Sequence, residues 1–165
     1  MKRTSIILLA CVLTLLVAGT AMAADYYQAD HKLKVTVPEE TKLELAQAGE
    51  TIDLGDITGA GTYLSDNSFT LTYRCNKKVD WQLKVEGTKF TSGDGEELPV
   101  SALNIKIEDG RNYNILSREV TIDSRADTGA KEKTIEFRYE LQVDNFDDVY
   151  AGVYTNTVTY TLFVP

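Results

Sequence analysis

The chain has 165 residues, of which 43% are hydrophobic, and a formal net charge of −8 at pH 7. This acidic balance disfavours nucleic acid and an anionic membrane surface as partners, because both require basic patches that neutralise phosphate groups. The length is sufficient for one domain with a hydrophobic core of its own.

The first 23 residues have the pattern of a secretory signal peptide. A basic pair, Lys2 and Arg3, precedes the apolar run Ser5–Val17, and Ala21–Ala23 fits the A-x-A cleavage pattern. The apolar run is shorter than the roughly 20 residues that a membrane-spanning helix needs. We therefore predict cleavage after Ala23, one domain over residues 24–165, and a secreted, periplasmic or cell-surface protein with no membrane contact after cleavage.

The two cysteines of the chain, Cys11 and Cys75, each allow two interpretations. Cleavage after Ala23 removes Cys11, so Cys75 is then alone and cannot form an intramolecular disulfide. One interpretation places Cys75 in the core as a small apolar group. The other is an exposed thiol that cross-links two chains. An alternative for Cys11 is a lipoprotein signal, with Leu8–Cys11 as a poor lipobox.

The remainder of the chain is dominated by alternation of apolar and polar residues with a period of two, which is typical of half-buried β-strands. A polar and loose segment, residues 24–32, is predicted to come first. In chain order, the apolar faces of the predicted strands are Leu33, Val35 and Val37; Leu43 and Leu45; a short strand within Glu50–Ile57; Phe69, Leu71, Tyr73 and Cys75; Val79, Trp81, Leu83 and Val85; Leu103, Ile105 and Ile107; Val120 and Ile122; Ile135, Phe137, Tyr139, Leu141 and Val143; and Tyr154, Val158, Tyr160, Leu162 and Val164.

These strands, eight or nine in number, are joined by turn-forming stretches rich in Gly, Asp and Asn. Each strand has one apolar and one polar face, which favours antiparallel sheets with one side in water. Two such sheets bury all of their apolar faces when they stack. The predicted fold class is therefore all-β, an antiparallel Ig-like β-sandwich of about seven to nine strands. A closed barrel is the alternative.

The last predicted strand raises a separate question about its neighbours. Its apolar side chains alternate with a threonine ladder, which suits a sheet with one wet face. We predict that this strand closes its own sandwich as a central or near-central strand beside Thr134–Val143. The alternative is an edge strand that pairs with another copy, since long, flat edges invite such pairing. Exchange of the segment at residues 24–32 between molecules is also physically possible.

Catalytic chemistry finds little support in the sequence. His31 is the only histidine, and one His with one Cys cannot build a zinc site. Carboxylates are plentiful enough for paired-acid glycoside hydrolysis, but the short loops offer little from which to build a cleft. Trp81 alternates in phase with Leu83, so we predict that it packs in the core instead of stacking on a sugar. We predict a protein that is not an enzyme and has no cofactor.

Two acidic loops are candidate calcium sites, because calcium prefers six to eight oxygen ligands. The stretch Asp144–Asp148 offers Asp144, Asp147 and Asp148, and a second loop contains Asp94, Glu96 and Glu97. Neither has the spacing of an EF-hand loop. The alternative interpretation is that both are ordinary turns, in which Asp and Gly provide the required backbone conformations.

Two stretches carry a resemblance to a known group of proteins. They are the closing strand, with Gly152, Tyr154, Val158, Tyr160, Thr161 and Leu162, and the middle of the chain, with Asn76, Trp81, Leu83 and Val85. Both stretches resemble small exported bacterial β-sandwich proteins, a group that overlaps fimbrial-subunit-like, spore-coat-U-like and bacterial Ig-like surface proteins. Pilin-like members of the chaperone–usher type usually carry a disulfide and an N-terminal donor strand, and that disulfide cannot form here.

The resemblance implies a non-catalytic structural or adhesive module of the cell surface, which contacts itself or other surface proteins. Such contacts would be made by loops or by strand addition at a sheet edge. The alternative from the same sequence is a secreted β-sandwich module that binds glycans or calcium.

Overall fold

A computed structural model describes residue 29, residues 31–147 and residues 149–165. The chain divides into one unit that ends at Thr36 and a second unit, Val37–Pro165, that contains the strands given below. The predicted signal peptide lies outside the described residues, so its cleavage stays a prediction. Within the described ranges, no helix combines the length and apolar character needed to cross a membrane.

The structure confirms the predicted all-β class and the antiparallel pairing of the strands. The described residues form eleven strands, several of only two or three residues, and one helix of a single turn. Their bounds are β1 Thr41–Leu45, β2 Gly61–Leu64, β3 Phe69–Cys75, β4 Gln82–Gly87, β5 Thr91–Ser92, β6 Val100–Ile107, β7 Asn112–Asn114, β8 Val120–Ser124, α1 Arg125–Thr128, β9 Lys133–Val143, β10 Tyr154–Thr155 and β11 Val158–Phe163.

The larger sheet is organised around β9, its longest strand. One edge of β9 pairs first with β3 and then with β2, and the other edge pairs with β6; β1 and β7 are the outermost strands. Ser65 maintains the ladder where the chain passes from β2 to β3. Its N–H donates to the Tyr139 carbonyl (2.9 Å) and its Oγ accepts from the Tyr139 N–H (3.2 Å). One edge of β9 is therefore occupied along its length by β3 and β2, and the other is occupied by β6 from Phe137 to Val143.

The smaller sheet has the order β11-β4-β8, and β5 pairs with β10 in a separate two-stranded ribbon. The prediction that the last strand lies centrally beside β9 is wrong. Among the strands that the structure describes, β11 pairs with β4 alone, from Val158 opposite Gly87 to Phe163 opposite Gln82. The reason is that β3 and β2 occupy one edge of β9 and β6 occupies most of the other. The last strand is thus an edge strand, as the alternative interpretation had it.

The core lies between the inner faces of the two larger sheets. Leu71, Tyr73 and Phe137 from the larger sheet and Leu83 from β4 are completely buried. Trp81 is 1% exposed, and its ring meets the ring of Tyr73 edge-on at 6.2 Å. This position confirms the prediction of a core tryptophan. Cys75 is also fully buried, which agrees with its interpretation as a small apolar group.

The two sheets are joined along one side of the sandwich. The Gly87 N–H donates to the Ile115 carbonyl (2.8 Å), and the Ile115 N–H donates to the Leu103 carbonyl of the larger sheet (2.8 Å). A Cβ at position 87 would lie 3.0 Å from the end of the Leu103 side chain, which would have to shift to make room for it. On the same side, the guanidinium of Arg111 donates to the Ile122 carbonyl of β8 (3.1 Å). The β8 edge is therefore partly capped.

Two predicted strands are absent from the described residues, and both predictions are wrong. The segment with Leu33, Val35 and Val37 is not assigned to any strand. A strand requires a hydrogen-bonded neighbour, and alternation alone does not provide one. The stretch Glu50–Ile57 is also irregular, although Ile52 and two neighbouring apolar residues pack half-buried against the core. Its alternation reflects packing against the core without strand pairing.

Candidate assembly edge

The outer edge of β11 is the candidate functional site. The inward-facing side chains of this strand, Val158, Tyr160 and Leu162, are only half-buried. Their neighbours on β4, Leu83 and Val85, are 0% and 1% exposed. The difference arises because β4 has a strand on each side, whereas β11 has one only on its β4 side in the described structure. The row Val158, Tyr160 and Leu162 is called the β11 apolar row below.

The backbone N–H and carbonyl groups of the β11 apolar row point away from β4. The N–H and carbonyl of Gly87 bond to Ile115 and Ser117, on the side opposite β11. Its partner Val158 is therefore in a non-hydrogen-bonded pair, and the alternation of an antiparallel ladder places Tyr160 and Leu162 in the same situation. The backbone groups of the β11 apolar row thus point to the open edge. An added strand would form hydrogen bonds at the same residues whose side chains it covers.

Tyr160 connects β11 to the centre of the larger sheet. Its hydroxyl lies 2.7 Å from that of Tyr139 on β9, and its ring centroid lies 5.8 Å from that of Phe137. Burial raises the pKa of both tyrosines. Both phenols consequently stay neutral, and each hydroxyl has the other as its hydrogen-bonding partner. This contact positions the edge strand over the core, while its outer edge has no partner among the described strands.

A second apolar row lies near the amino terminus, on Leu33, Val35 and Val37. These side chains are 94%, 87% and 76% exposed, respectively. They alternate with Lys34 and Thr36, which are also exposed. An exposed row of three apolar residues at β spacing is expensive to leave in water. It has the pattern of a strand without a partner.

The predicted calcium residues are only partly described. The Asp144 carboxylate accepts from the side-chain amide of Gln142 (3.2 Å), and the Asp147 N–H donates to the side chain of Asn145 (2.9 Å). Asp148 lies outside the described residues. In the part of the chain that is described, no group of three or more His, Cys, Asp or Glu side chains is arranged to hold a metal ion. Calcium binding at this loop stays a prediction.

A shallow cavity of about 250 Å³ lies beside the turn between β2 and β3. Its lining includes Glu50, Asp53, Asp66 and Asn67, which are hydrogen-bonding groups of the kind that bind sugars or cations. Phe69 also lines it but is 4% exposed, so it offers no open ring face for stacking on a sugar. This cavity is the candidate location for the ligand-binding module of the alternative interpretation, and that function stays a prediction.

Sequence reasoning missed a buried polar cluster centred on Asp123 of β8. One carboxylate oxygen accepts hydrogen bonds from the Tyr73 hydroxyl, from Thr128 (2.5 Å) and from the Lys133 ammonium (3.0 Å). The other oxygen accepts from the Ser124 N–H (2.8 Å). Tyr73 and Lys133 belong to the larger sheet, so the cluster connects the two sheets. Nothing in the alternation around Asp123 distinguishes it from an exposed strand residue.

The comparisons with known proteins gave structural similarities only. No family model matches the sequence, and no curated protein matches it. One similar structure is described as a chaperone–tip adhesin complex vital for synergistic activation of CFA/I fimbriae biogenesis; it has a TM-score of 0.46 and 17% identity, and the match covers 74% of this chain and 40% of that one. Another is a chaperone–usher pilus whose structure reveals the basis of rod uncoiling, with a TM-score of 0.37, 15% identity, and coverage of 86% and 100%.

Proposed function

We propose that the protein is an exported, non-catalytic subunit of a bacterial surface assembly, whose copies join by strand addition at β11. The observation that supports this most directly is the open edge of β11, where side chains are half-buried and backbone groups are turned outward. One added strand would cover these side chains and would also hydrogen-bond these backbone groups. Natural proteins usually protect such edges, so an unprotected one indicates a docking function.

The segment that we propose as the added strand is residues 31–37 of a second copy. Leu33, Val35 and Val37 repeat at the same two-residue spacing as the β11 apolar row, because every β-strand has this period. The exposure of these three side chains in one copy is matched by the incomplete burial of the row in another. Joining the two removes both apolar surfaces from water, and this burial is the driving force of assembly.

The other sheet edges fit this role less well. The β8 edge is partly capped by Arg111. The outermost strand β1 carries Lys42 and Glu44, which form an ion pair 3.1 Å long, and charged side chains of this kind discourage pairing. The β7 strand has only three residues. The β11 edge is therefore more favourable for an added strand than the edges of β8, β1 and β7.

The proposed function predicts that the chain from Ala24 onward forms oligomers whose size increases with concentration. A synthetic peptide of residues 24–40 should cap free β11 edges and shift the population toward monomers, since the peptide covers the edge but offers none of its own. Size-exclusion chromatography with light scattering measures both effects. A peptide with Ser at positions 33, 35 and 37 is the control. A chain that stays monomeric at all concentrations and does not bind the peptide would contradict the proposal.

A further inference from the structure

The side chain of Asn76 hydrogen-bonds the chain entering β1 to the end of β3. Its side-chain amide donates to the Pro38 carbonyl (2.8 Å), and its side-chain oxygen accepts from the Glu40 N–H (2.7 Å). The Asn76 N–H donates to the Glu40 carbonyl (3.1 Å). A residue just after β3 thereby extends the β1–β3 ladder by hydrogen-bonding residues that precede β1.

Ion pairs and a proline reinforce this attachment. Arg74 pairs with Glu40 (2.7 Å) and Lys77 pairs with Glu39 (3.1 Å). Pro38 has no N–H, so it cannot continue a ladder toward the amino terminus. The boundary between the two units of the chain falls at Thr36, two residues before this proline. Pro38 is therefore the first residue of the chain that the sandwich holds by hydrogen bonds in the described structure.

We propose that Asn76 is a positioning residue for assembly, which fixes the point from which the amino-terminal segment leaves its own domain. This inference rests on the proposed function, because a segment added to another copy must connect back through Pro38. Asn76 suits the task since an amide side chain has both a donor and an acceptor, which Pro38 and Glu40 use respectively. Preorganisation of this kind reduces the ordering cost when the segment binds.

The local effect of Asn76 is tested by hydrogen exchange of the full chain. In Asn76→Ala, exchange of the Glu40 amide should accelerate about tenfold, which is the effect expected for losing a single hydrogen bond. In Asn76→Asp, the acceptor for Glu40 remains while the donor to Pro38 is lost, so the Glu40 amide should stay more protected than in the alanine variant. The Ala46 amide, bonded to Thr70 beyond the other end of β1, is the internal control and should not change. Unchanged Glu40 exchange in Asn76→Ala would overturn the proposal.

The positioning role is tested by measuring two activities of a chain separately: adding its amino-terminal segment to another copy, and accepting such a segment at its own β11 edge. The alanine variant should assemble at least about tenfold more slowly than the unmodified chain, yet bind the synthetic peptide of residues 24–40 with the same affinity, because its β11 edge is intact. Equal loss of both activities would show a general structural defect and would overturn the positioning role, as would unchanged assembly. If the unmodified chain neither assembles nor binds the peptide, the proposed function fails, whereas faster Glu40 exchange would still support Asn76 as the anchor of Pro38 and Glu40.

Discussion

Val35→Asp is expected to weaken assembly by at least about 100-fold while leaving the stability of the isolated chain unchanged. Val35 is 87% exposed, so its replacement should change the free energy of unfolding by no more than about 0.5 kcal/mol. In the assembled state, the variant loses the burial of a valine, about 1.5–3 kcal/mol, and must also desolvate a carboxylate. Each 1.4 kcal/mol is about tenfold in affinity, which gives the expected effect. Sedimentation equilibrium and urea unfolding measure the two quantities.

The matched control is Thr36→Asp, which adds the same charge one residue later. Thr36 lies on the opposite face of the alternation and is also exposed. An added strand would keep this face in water, so assembly should weaken by less than about threefold, as for an exposed charge. Equal effects of the two variants would show that net charge and not strand alternation controls assembly. The Val35→Asp chain also retains its β11 edge. In mixtures with the unmodified chain, it should therefore accept an amino-terminal segment but add none of its own, which stops growth of the assembly.

Asp123→Ala is expected to lower the free energy of unfolding by about 3 kcal/mol, because it removes an acceptor shared by several donors and each buried donor left unsatisfied costs about 1–3 kcal/mol. Asp123 is 3% exposed, and its removal leaves the buried Tyr73 hydroxyl without its acceptor. Lys133 would also lose its partner between the sheets. Asp80→Ala is the control, because the Asp80 side chain is 99% exposed and its contact with Arg125 is 3.7 Å long. The control should change stability by less than about 1 kcal/mol.

The Asp123 cluster also makes stability dependent on acid pH. Burial alone would raise the pKa of Asp123, but hydrogen bonds from Thr128, Tyr73, Lys133 and the Ser124 N–H outweigh it, and the net shift is downward. A lowered pKa in the folded state stabilises the protein above the unfolded value of about 4. This contribution is lost as the pH falls through the lowered pKa. Unfolding curves should therefore be less sensitive to acid below about pH 4 in Asp123→Asn than in the unmodified chain, and identical pH profiles would contradict this role.

The alternation in the sequence was sufficient to predict the fold class and most strand positions. The apolar phases of β3, β6 and β9 are buried as predicted, and Trp81 is in the core. Alternation reports which face of a strand is buried, since that depends on side chains. It contains no information on how many neighbours the backbone has. That is why it did not predict β11 as an edge strand.

The same limit explains the error at the amino terminus. Leu33, Val35 and Val37 alternate like a strand, yet none of the described residues pairs with them as a neighbouring strand. The proposed assembly would supply that neighbour in a second copy. Asp123 was missed for a different reason. Its burial depends on Tyr73 and Lys133, which are distant in sequence and meet it only when the two sheets stack.

Amide hydrogen exchange of the β11 strand is the most direct test of strand addition at this edge. The full Val35→Asp chain, which accepts but does not donate, is measured with and without the synthetic peptide of residues 24–40. Strand addition predicts new protection at Val158, Tyr160 and Leu162, whose N–H groups face the open edge, and little change at Thr159 and Thr161, which face β4. Absence of new protection at those three residues, or protection on β1 or β8 in their place, would contradict strand addition at β11.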